Sequence, residues 1–227
     1  MISELTWTPN RRFDAAFALR TLHHISIGLQ QLHKVGIAHQ DLKPSNVLVF
    51  PRDEGSKISD FGRAWSKDFR APHDDYQIPG DMSYAPPELL YGDVATDVNR
   101  RRYGCDVYHL GSMAVFLFTR VHMNALLVKH MAPEHRPFTW GGPYSAVLPY
   151  VQAAYALALA EFIDYVPDYL QNDFAEAIGQ LCEPDAARRG HPLNRQGHVN
   201  QFGLDRYVSK FNLLSARAEL RMIGGAK

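Results

Sequence analysis

The feature that most constrains the fold is the stretch AHQDLKPSNVLVF at residues 38–50, in which polar side chains precede an apolar run. Pro44 interrupts any helix here, and the β-branched residues that follow Asn46 favour a strand. SKISDFG at residues 56–62 predicts a second short strand, and the intervening PRDEG is typical of a hairpin turn. The sequence therefore predicts a small hairpin with a polar cluster at one end.

The polar side chains in this stretch have complementary chemistry. The carboxylate of Asp41 can accept a hydroxyl proton, and the ammonium group of Lys43 can neutralise phosphate. The amide oxygen of Asn46 can ligate a hard cation, and Asp60 adds a carboxylate at the adjoining strand end. This combination favours phosphoryl transfer around a shared Mg²⁺. Taken singly, the two aspartates and the asparagine are equally typical of turns.

Hydrophobic periodicity predicts helices over most of the remaining chain. Residues 13–34 have helical spacing with Gly36 just past their end, and residues 106–120 are apolar on nearly all faces, which indicates a buried helix. Further helices are predicted over about residues 145–163, 168–182 and 204–220. Residues 63–92 show no regular period and contain several prolines, so we predict a long functional loop.

Five motifs, in the order in which they occur, resemble the protein kinase superfamily and its serine/threonine branch. HQDLKPSN resembles the catalytic loop, DFG the magnesium motif, and YAPPE at residues 84–88 the end of the activation segment. DVYHLG is similar to the start of the buried central helix, and EPDAARRGHP to a late motif whose arginine pairs with the activation-segment glutamate. The resemblance covers about residues 13–207. It implies a mainly α domain like the kinase C-terminal lobe (C-lobe), with short β-hairpins around the catalytic loop.

The resemblance also implies a reaction, which is transfer of the ATP γ-phosphoryl group to a protein Ser or Thr hydroxyl. Asp41 would be the catalytic base, and Lys43 would lie beside the transferring phosphate. Asn46 and Asp60 would hold Mg²⁺, and Leu48 would join them in the nucleotide site. The implied substrate-docking residues are Asp81, Ser83 and Tyr84, and the implied structural residues are His39, Phe61, Gly62, Glu88, Asp106 and Arg189.

Two of the structural roles are ion pairs or hydrogen bonds beneath the site. Asp106 would accept hydrogen bonds from the catalytic-loop backbone, and Glu88 would pair with Arg189. Removing one partner of such a buried pair costs about 3–5 kcal/mol. His39 and Phe61 would pack together inside the lobe and tie the magnesium motif to the catalytic loop.

Three departures from the family pattern change the expected behaviour. Gln40 replaces the usual arginine beside the catalytic aspartate, so a phosphorylated activation loop would lack its cationic partner. Asp81 stands where threonine is common and adds negative charge near the phosphate. No G-x-G-x-x-G occurs, and Lys34 is the only lysine before the catalytic loop, so the glycine-rich loop and strand lysine of an upper lobe are missing from this sequence.

These observations divide the chain into three parts. We interpret residues 1–12 as a remnant of the connection between lobes, residues 13–220 as the C-lobe and residues 221–227 as a frayed tail. ATP and Mg²⁺ are the implied cofactors and a protein substrate is the implied partner, with ATP bound if an upper lobe is supplied. We expect little phosphotransfer from this chain alone, and a rate far above that of the Asp41→Asn variant would contradict that expectation.

Composition disfavours several other partners. Lys+Arg and Asp+Glu both number 24, so there is no net basic charge to attract nucleic acid or an acidic membrane surface. We identify no run of about 18 apolar residues, so the sequence predicts no membrane span. The two cysteines, Cys105 and Cys182, lack the spacing of a zinc site, and their apolar surroundings fit a reducing cytoplasm.

Two alternatives to a protein kinase stay open at this stage. A small-molecule phosphotransferase of the aminoglycoside-kinase kind has His, Asp and Asn at the same spacing, but it lacks a DFG followed by PPE. A pseudokinase-like binding module would instead display a surface to a partner, because apolar residues near Leu48, Phe61 and the first helix would be bare without an upper lobe. In size-exclusion chromatography, a well-behaved monomer without ATP binding would favour the module, whereas aggregation would favour a broken-off fragment.

Overall fold

The computed structural model describes residues 11–50, 55–196 and 200–224. The elements in the described ranges are α1 (Arg11–Lys34), β1 (Ile37–Ala38), β2 (Val47–Phe50), β3 (Gly55–Ile58), β4 (Trp65–Ser66), α2 (Pro87–Leu90), α3 (Gly104–Thr119), α4 (Met123–Lys129), α5 (Tyr144–Ile163), α6 (Gln171–Leu181) and α7 (Asp205–Gly224). Helices dominate and the strands are short, so the predicted mainly α, C-lobe-like fold is confirmed.

Helix α3 lies at the centre of the hydrophobic core. Most of its residues are buried on every face, as its nearly continuous apolar sequence predicts. Helix α1 packs on α3 and α7 through one apolar stripe, formed by Leu19, Leu22, Ile25 and Leu29, all fully buried. Two layers of helix therefore enclose the core and leave the short strands at its edge.

The ends of the terminal helices differ from the predicted bounds by a few residues. Helix α1 begins at Arg11, two residues before the predicted start, and ends beside Gly36, which has a φ of +76° that favours glycine. Helix α7 continues to Gly224, four residues beyond the predicted end, so part of the predicted tail is helical. Residues 1–10 and 225–227 lie outside the described residues, and the predictions for them stay predictions.

The strands form two antiparallel pairs around the polar cluster. Strand β2 pairs with β3 in the register Val47↔Ile58 and Phe50↔Gly55, which is the predicted hairpin, although residues 51–54 of its turn lie outside the described residues. Strand β1 pairs with β4 in the register Ile37↔Ser66. The backbone on both sides of the catalytic-loop motif is thereby fixed to a neighbouring strand.

The segment 63–92 is more structured than its sequence predicts. It contains strand β4, a 3₁₀ turn at Pro72–Asp75 and the single-turn helix α2. Helix α4 was also missed. Each of these elements spans seven residues or fewer, which is too short to display a hydrophobic period, and each depends on tertiary contacts for its stability.

Helix α5 corrects the expectation that no stretch is long and apolar enough to span a bilayer. Its 20 residues include an 18-residue window of mean hydropathy 1.5, which satisfies the length and composition of a membrane span. One face of α5, including Val147, Val151 and Phe162, packs into the core, while Tyr150 and Leu157 are more than half exposed. The core helix of a globular domain can meet the same two criteria, and no other single helix in the described ranges meets them.

Candidate active site

The carboxylate of Asp106, at the start of α3, organises the backbone of the catalytic loop. It is fully buried, and it accepts hydrogen bonds from the backbone N–H of His39 and of Gln40, both at 2.7 Å. His33 Nε2 on α1 lies 2.9 Å from the same carboxylate. Burial alone would raise the pKa of Asp106, but the hydrogen bond and charge of His33 outweigh it and hold that pKa below its usual value.

The catalytic loop brings Asp41, Lys43 and Asn46 into direct contact. Asn46 Nδ2 donates to the backbone carbonyl of Asp41 at 2.8 Å and to its Oδ2 at 3.1 Å. Lys43 Nζ lies 3.3 Å from the same Oδ2 atom. The loop reaches this shape through Gln40, whose φ of +62° lies in the left-handed region, and through the 3₁₀ turn at Pro44–Asn46. Three of the predicted site residues therefore form one cluster.

A loop from the far side of the site covers the second oxygen of Asp41. The backbone N–H of Asp81 donates to Asp41 Oδ1 at 2.7 Å. This approach requires glycine at the preceding position, since a Cβ on Gly80 would lie 2.3 Å from the carbonyl oxygen of Gln40. As a result only 7% of Asp41 is exposed.

Lys43 lies between two carboxylates. Its Nζ atom is 3.3 Å from Asp41 Oδ2 and also 3.3 Å from Asp81 Oδ2. Partial burial favours the neutral amine, but the charge of Asp41, followed by that of Asp81, raises the pKa of Lys43. Burial likewise opposes ionisation of Asp81, whereas the hydrogen bonds from Ser83 and Lys43 lower its pKa. The ammonium of Lys43 and the carboxylate of Asp81 are consequently charged near neutral pH.

The other two predicted substrate-docking residues, Ser83 and Tyr84, follow Asp81 in the docking loop, defined here as residues 81–88. The backbone N–H of Ser83 donates to Asp81 Oδ1 at 2.9 Å. Tyr84 is buried, and burial together with the charge of Asp81 raises the pKa of its hydroxyl to about 12. Asn124, on α4, donates from Nδ2 to the carbonyls of Ser83 at 2.9 Å and of Ala85 at 2.7 Å, which fixes the path of this loop.

Asp60 stands at the end of β3, next to the catalytic loop. The backbone N–H of Ser59 donates to the Asn46 carbonyl at 2.9 Å, so the two strand ends are adjacent. Asp60 has a φ of +61°, and its Oδ1 accepts a hydrogen bond from the N–H of Gly62 at 3.1 Å. Its side chain is exposed and makes no hydrogen bond with Asp41 or Asn46.

The oxygen atoms at this edge are of a type that suits a hard cation. Asn46 uses its Nδ2 for Asp41, its Oδ1 accepts a hydrogen bond from Ser45 Oγ at 3.4 Å, and the carboxylate of Asp60 has one oxygen without a hydrogen bond within the described residues. Amide and carboxylate oxygens are ligands that Mg²⁺ prefers. In residues 11–50, 55–196 and 200–224 no three His, Cys, Asp or Glu side chains are grouped to hold a metal.

The packing of His39 and Phe61 differs from the prediction in one respect. His39 is fully buried, its Nε2 lies 3.0 Å from the Ser59 carbonyl, and its ring meets that of Phe61 edge-on at 5.4 Å between centroids. Phe61 is nevertheless 51% exposed, so it does not lie inside the lobe as predicted, and Leu48 is 41% exposed.

Beneath the site, Glu88 and Arg189 form a bidentate ion pair. The two guanidinium nitrogens donate to the two carboxylate oxygens at 2.7 Å each, and both residues are buried. Arg189 also donates to the backbone carbonyls of Glu183 at 3.0 Å and Gly104 at 3.2 Å. The charge of Glu88 overcomes burial and raises the pKa of Arg189. The pair fastens the end of the docking loop to α3.

Sequence reasoning missed three residues that shape this site. Gly80 permits the contact on Asp41, Asn124 holds the docking loop, and Arg102 contacts the side chain of Gln40. A glycine before Asp81 was a usable signal for close backbone approach. Arg102 lies in the run NRRRYG, and three consecutive arginines give no indication of which one is buried.

Comparison with known proteins places these motifs among protein kinases. A family model described as "Protein kinase domain" matches residues 5–136. The mouse hormonally up-regulated neu tumor-associated kinase is 28% identical over 203 residues, which are 88% of this chain and 24% of that protein. The Aurora kinase of Debaryomyces hansenii is 32% identical over 101 residues, which are 44% of this chain and 23% of that protein.

A shorter match has higher identity. A calcium and calcium/calmodulin-dependent serine/threonine-protein kinase from Oryza sativa is 44% identical over 80 residues, which are 34% of this chain and 14% of that protein. The chain matches about a quarter or less of the length of each of these relatives.

Proposed function

The chain belongs to the protein kinase family, and from that premise we propose that it carries the catalytic residues for transfer of the ATP γ-phosphoryl group to a protein Ser or Thr hydroxyl. The observation that carries the proposal is the cluster of Asp41, Lys43 and Asn46, in which two side chains contact the same carboxylate oxygen. One of the matching relatives is named a serine/threonine-protein kinase, which supports the choice of acceptor.

Asp41 would act as the base that orients the substrate hydroxyl and accepts its proton. Its Oδ2 atom contacts Asn46 and Lys43, and its Oδ1 atom accepts the N–H of Asp81, so the carboxylate is held in one orientation. A general base must lie within hydrogen-bond reach of the proton it accepts, and a carboxylate with a fixed orientation supports that role for Asp41. Lys43 would donate to a phosphoryl oxygen, and its ammonium would offset the charge that develops there.

Asn46 and Asp60 would hold Mg²⁺, and Leu48 would lie under the nucleotide. When bound, the metal neutralises phosphate charge. The residues of this chain would supply an amide oxygen and a carboxylate oxygen from two adjacent strand ends. The exposed side chain of Leu48 offers an apolar surface of the kind that nucleotide sites use.

The proposal is tested by long incubation of the 227-residue chain with radiolabelled ATP, Mg²⁺ and a mixed protein substrate, followed by phosphoamino acid analysis. We expect low label on Ser and Thr, and a further reduction in the Asp41→Asn variant. The matched control is Asp68→Asn, which removes an exposed carboxylate from the neighbouring loop and should leave the label unchanged.

The other outcomes separate the alternatives. Equal labelling by the chain and its Asp41→Asn variant would overturn the proposed role of Asp41. Label on an aminoglycoside but not on protein would favour the small-molecule phosphotransferase. A monomer that binds no nucleotide and transfers no label would favour the binding module.

A further inference from the structure

The side chain of Gln40, beside the catalytic aspartate, bridges two parts of the protein. Its Nε2 donates to the backbone carbonyl of Arg63 at 3.0 Å, and its Oε1 accepts from Arg102 Nη1 at 2.6 Å. Its backbone N–H is held by Asp106. Gln40 is 2% exposed, so these are interior contacts whose loss water would not readily replace.

Arg102 precedes α3 and reaches the activation loop, defined here as residues 63–83. Only 4% of it is exposed, and its Nη2 donates to the carbonyl of Asp74 at 2.7 Å. Its guanidinium carbon lies 5.9 Å from the ring centroid of Trp65, which is in strand β4. The acceptors of this buried guanidinium are thus a side-chain amide and a backbone carbonyl, with an aromatic face alongside.

Two further contacts close the same stretch of the loop. Arg101 Nη2 donates to the carbonyls of Asp74 at 2.9 Å and Tyr76 at 3.0 Å. His73 Nε2 lies 3.0 Å from the carbonyl of Ala64. The loop is therefore tied at both ends of the stretch 63–76, and the side chains of Gln40, Arg101 and Arg102 all donate to its backbone carbonyls.

The carboxylate of Asp74 supplies a compensating charge nearby. It is buried, its Oδ2 accepts the N–H of Ala71 at 2.8 Å, and its Oδ1 has no partner among the described residues. Burial and the neighbouring Arg101 lower the pKa of Arg102, while the charge of Asp74 opposes that decrease. An arginine with these neighbours stays protonated at neutral pH.

We propose that Gln40, Arg101 and Arg102 form a clamp that holds the activation loop against the catalytic loop without any phosphate group. Phosphate on a loop residue acts by giving arginine side chains a new anionic partner. Here Gln40 provides no charge for such a group, and the nearby guanidinium groups of Arg101 and Arg102 are already bound to carbonyls that are always present. Arg102 is therefore a positioning residue that acts on the activation loop through the clamp. Any effect of the clamp on phosphotransfer rests on the function proposed above.

Hydrogen exchange on the full chain tests the clamp independently of phosphotransfer. The informative amides are those of Asp74, bonded to Ala71 O, and Tyr76, bonded to His73 O. In Arg102→Met we expect these amides to exchange about tenfold faster or more. The substitution removes two buried hydrogen bonds that oppose local opening of the loop. Arg102→Lys, which keeps the charge but not the fork geometry, should give an intermediate rate.

The matched control is Arg100→Met in the π-helical turn Asn99–Tyr103, which also contains Arg101 and Arg102. The side chain of Arg100 donates no hydrogen bond within the described residues, so this variant should exchange like the wild type. Arg101→Met is a second test in case Arg102→Met does not fold. Arg101 is less buried than Arg102, so its substitution should disturb folding less, and it donates to the same Asp74 carbonyl. It should speed exchange at Tyr76 and leave the amides of α6 unchanged. Wild-type exchange in both Arg101→Met and Arg102→Met would overturn the proposal.

A second arm addresses the independence from phosphate. Treating the wild-type chain with a broad-specificity phosphatase should leave exchange across residues 63–83 unchanged, whereas faster exchange after treatment would contradict the clamp. Since neither arm requires catalysis, a chain that shows the clamp but transfers no phosphoryl group would overturn the proposed function alone.

Discussion

Two groups of charged side chains hold the two ends of the docking loop, and they differ in exposure. At the catalytic edge, Lys43 is 3.3 Å from both Asp41 and Asp81, and the side chains of Lys43 and Asp81 are 24% and 35% exposed. Beneath the loop, Glu88 and Arg189 pair at 2.7 Å with 8% and 0% of their side chains exposed. The first group is open to an additional ligand, and the second is closed to one.

The difference indicates how the chain separates stability from chemistry. An ion pair out of contact with water costs much when one partner is removed, because the remaining charge is left without hydration. A partly exposed pair contributes little, because water and salt screen it, but it can exchange one partner for a phosphate. We therefore expect the lower pair to govern folding and the upper group to govern binding.

The largest effect is expected from breaking the lower pair. Arg189→Met leaves the Glu88 carboxylate buried without a cation and should reduce the free energy of unfolding by about 3–5 kcal/mol, as measured by urea denaturation. The double variant Glu88→Leu/Arg189→Met should recover part of that loss, because no charge is left buried. If Arg189→Met reduced the free energy of unfolding by less than about 1 kcal/mol, the pair would contribute no more than an exposed ion pair, and the account of its role would be wrong.

A second effect concerns His109, a buried histidine of α3 that lies among charged groups from several elements. Burial lowers its pKa from 6.5 to about 4, against the opposing charges of Asp106 and Asp41. In the unfolded chain His109 therefore binds a proton as the pH falls below 6.5, whereas in the folded chain it does so only near pH 4. The free energy of unfolding decreases across that interval, and His109 should account for roughly 3 kcal/mol of the decrease.

The pH dependence is measured by urea unfolding at intervals from pH 7 to 4. His109→Gln should show a shallower decline than the wild type, and His135→Gln, which removes a less buried histidine, should follow the wild type. Identical profiles for His109→Gln and the wild type would show that His109 does not determine the acid sensitivity of the core.

The smallest effect on stability is expected at the catalytic edge. Lys43→Met should change the free energy of unfolding by less than about 1 kcal/mol, because the lysine is partly exposed. It should also raise the pKa of Asp81, which loses the hydrogen bond and charge of Lys43 that now lower it. Carbon-detected NMR titration of the carboxylates would show this, and an unchanged Asp81 titration would mean that the contact does not persist in solution.

The parts of the fold that were predictable are those with a repeated pattern. The apolar stripe of α1 and the continuous apolar sequence of α3 indicated two helices at nearly their observed positions, and the β2–β3 hairpin followed from Pro44 and the β-branched residues. The grouping of Asp41, Lys43 and Asn46 followed from their short spacing in one loop. Local sequence is sufficient where the partners are a few residues apart.

The parts that were not predictable depend on contacts between distant segments. Asn124 meets the docking loop across about forty residues of sequence, and Arg102 meets Gln40 across about sixty. Phe61 was expected inside the lobe because the kinase resemblance pairs it with His39, yet it is 51% exposed even though its ring contacts that of His39. Side-chain direction at such positions is set by tertiary packing, which no spacing in the sequence records.

We propose above all that the buried Asn46 and the exposed Asp60 bind a nucleotide through a divalent cation. Isothermal titration of the chain with ATP, with and without Mg²⁺, tests it most directly, comparing the wild type with Asp60→Asn and with the control Asp68→Asn. Our account predicts Mg²⁺-dependent binding that is at least about tenfold weaker in Asp60→Asn, corresponding to about 1.4 kcal/mol, and unchanged in Asp68→Asn. Equal affinity in all three proteins, or binding indifferent to Mg²⁺, would contradict the account.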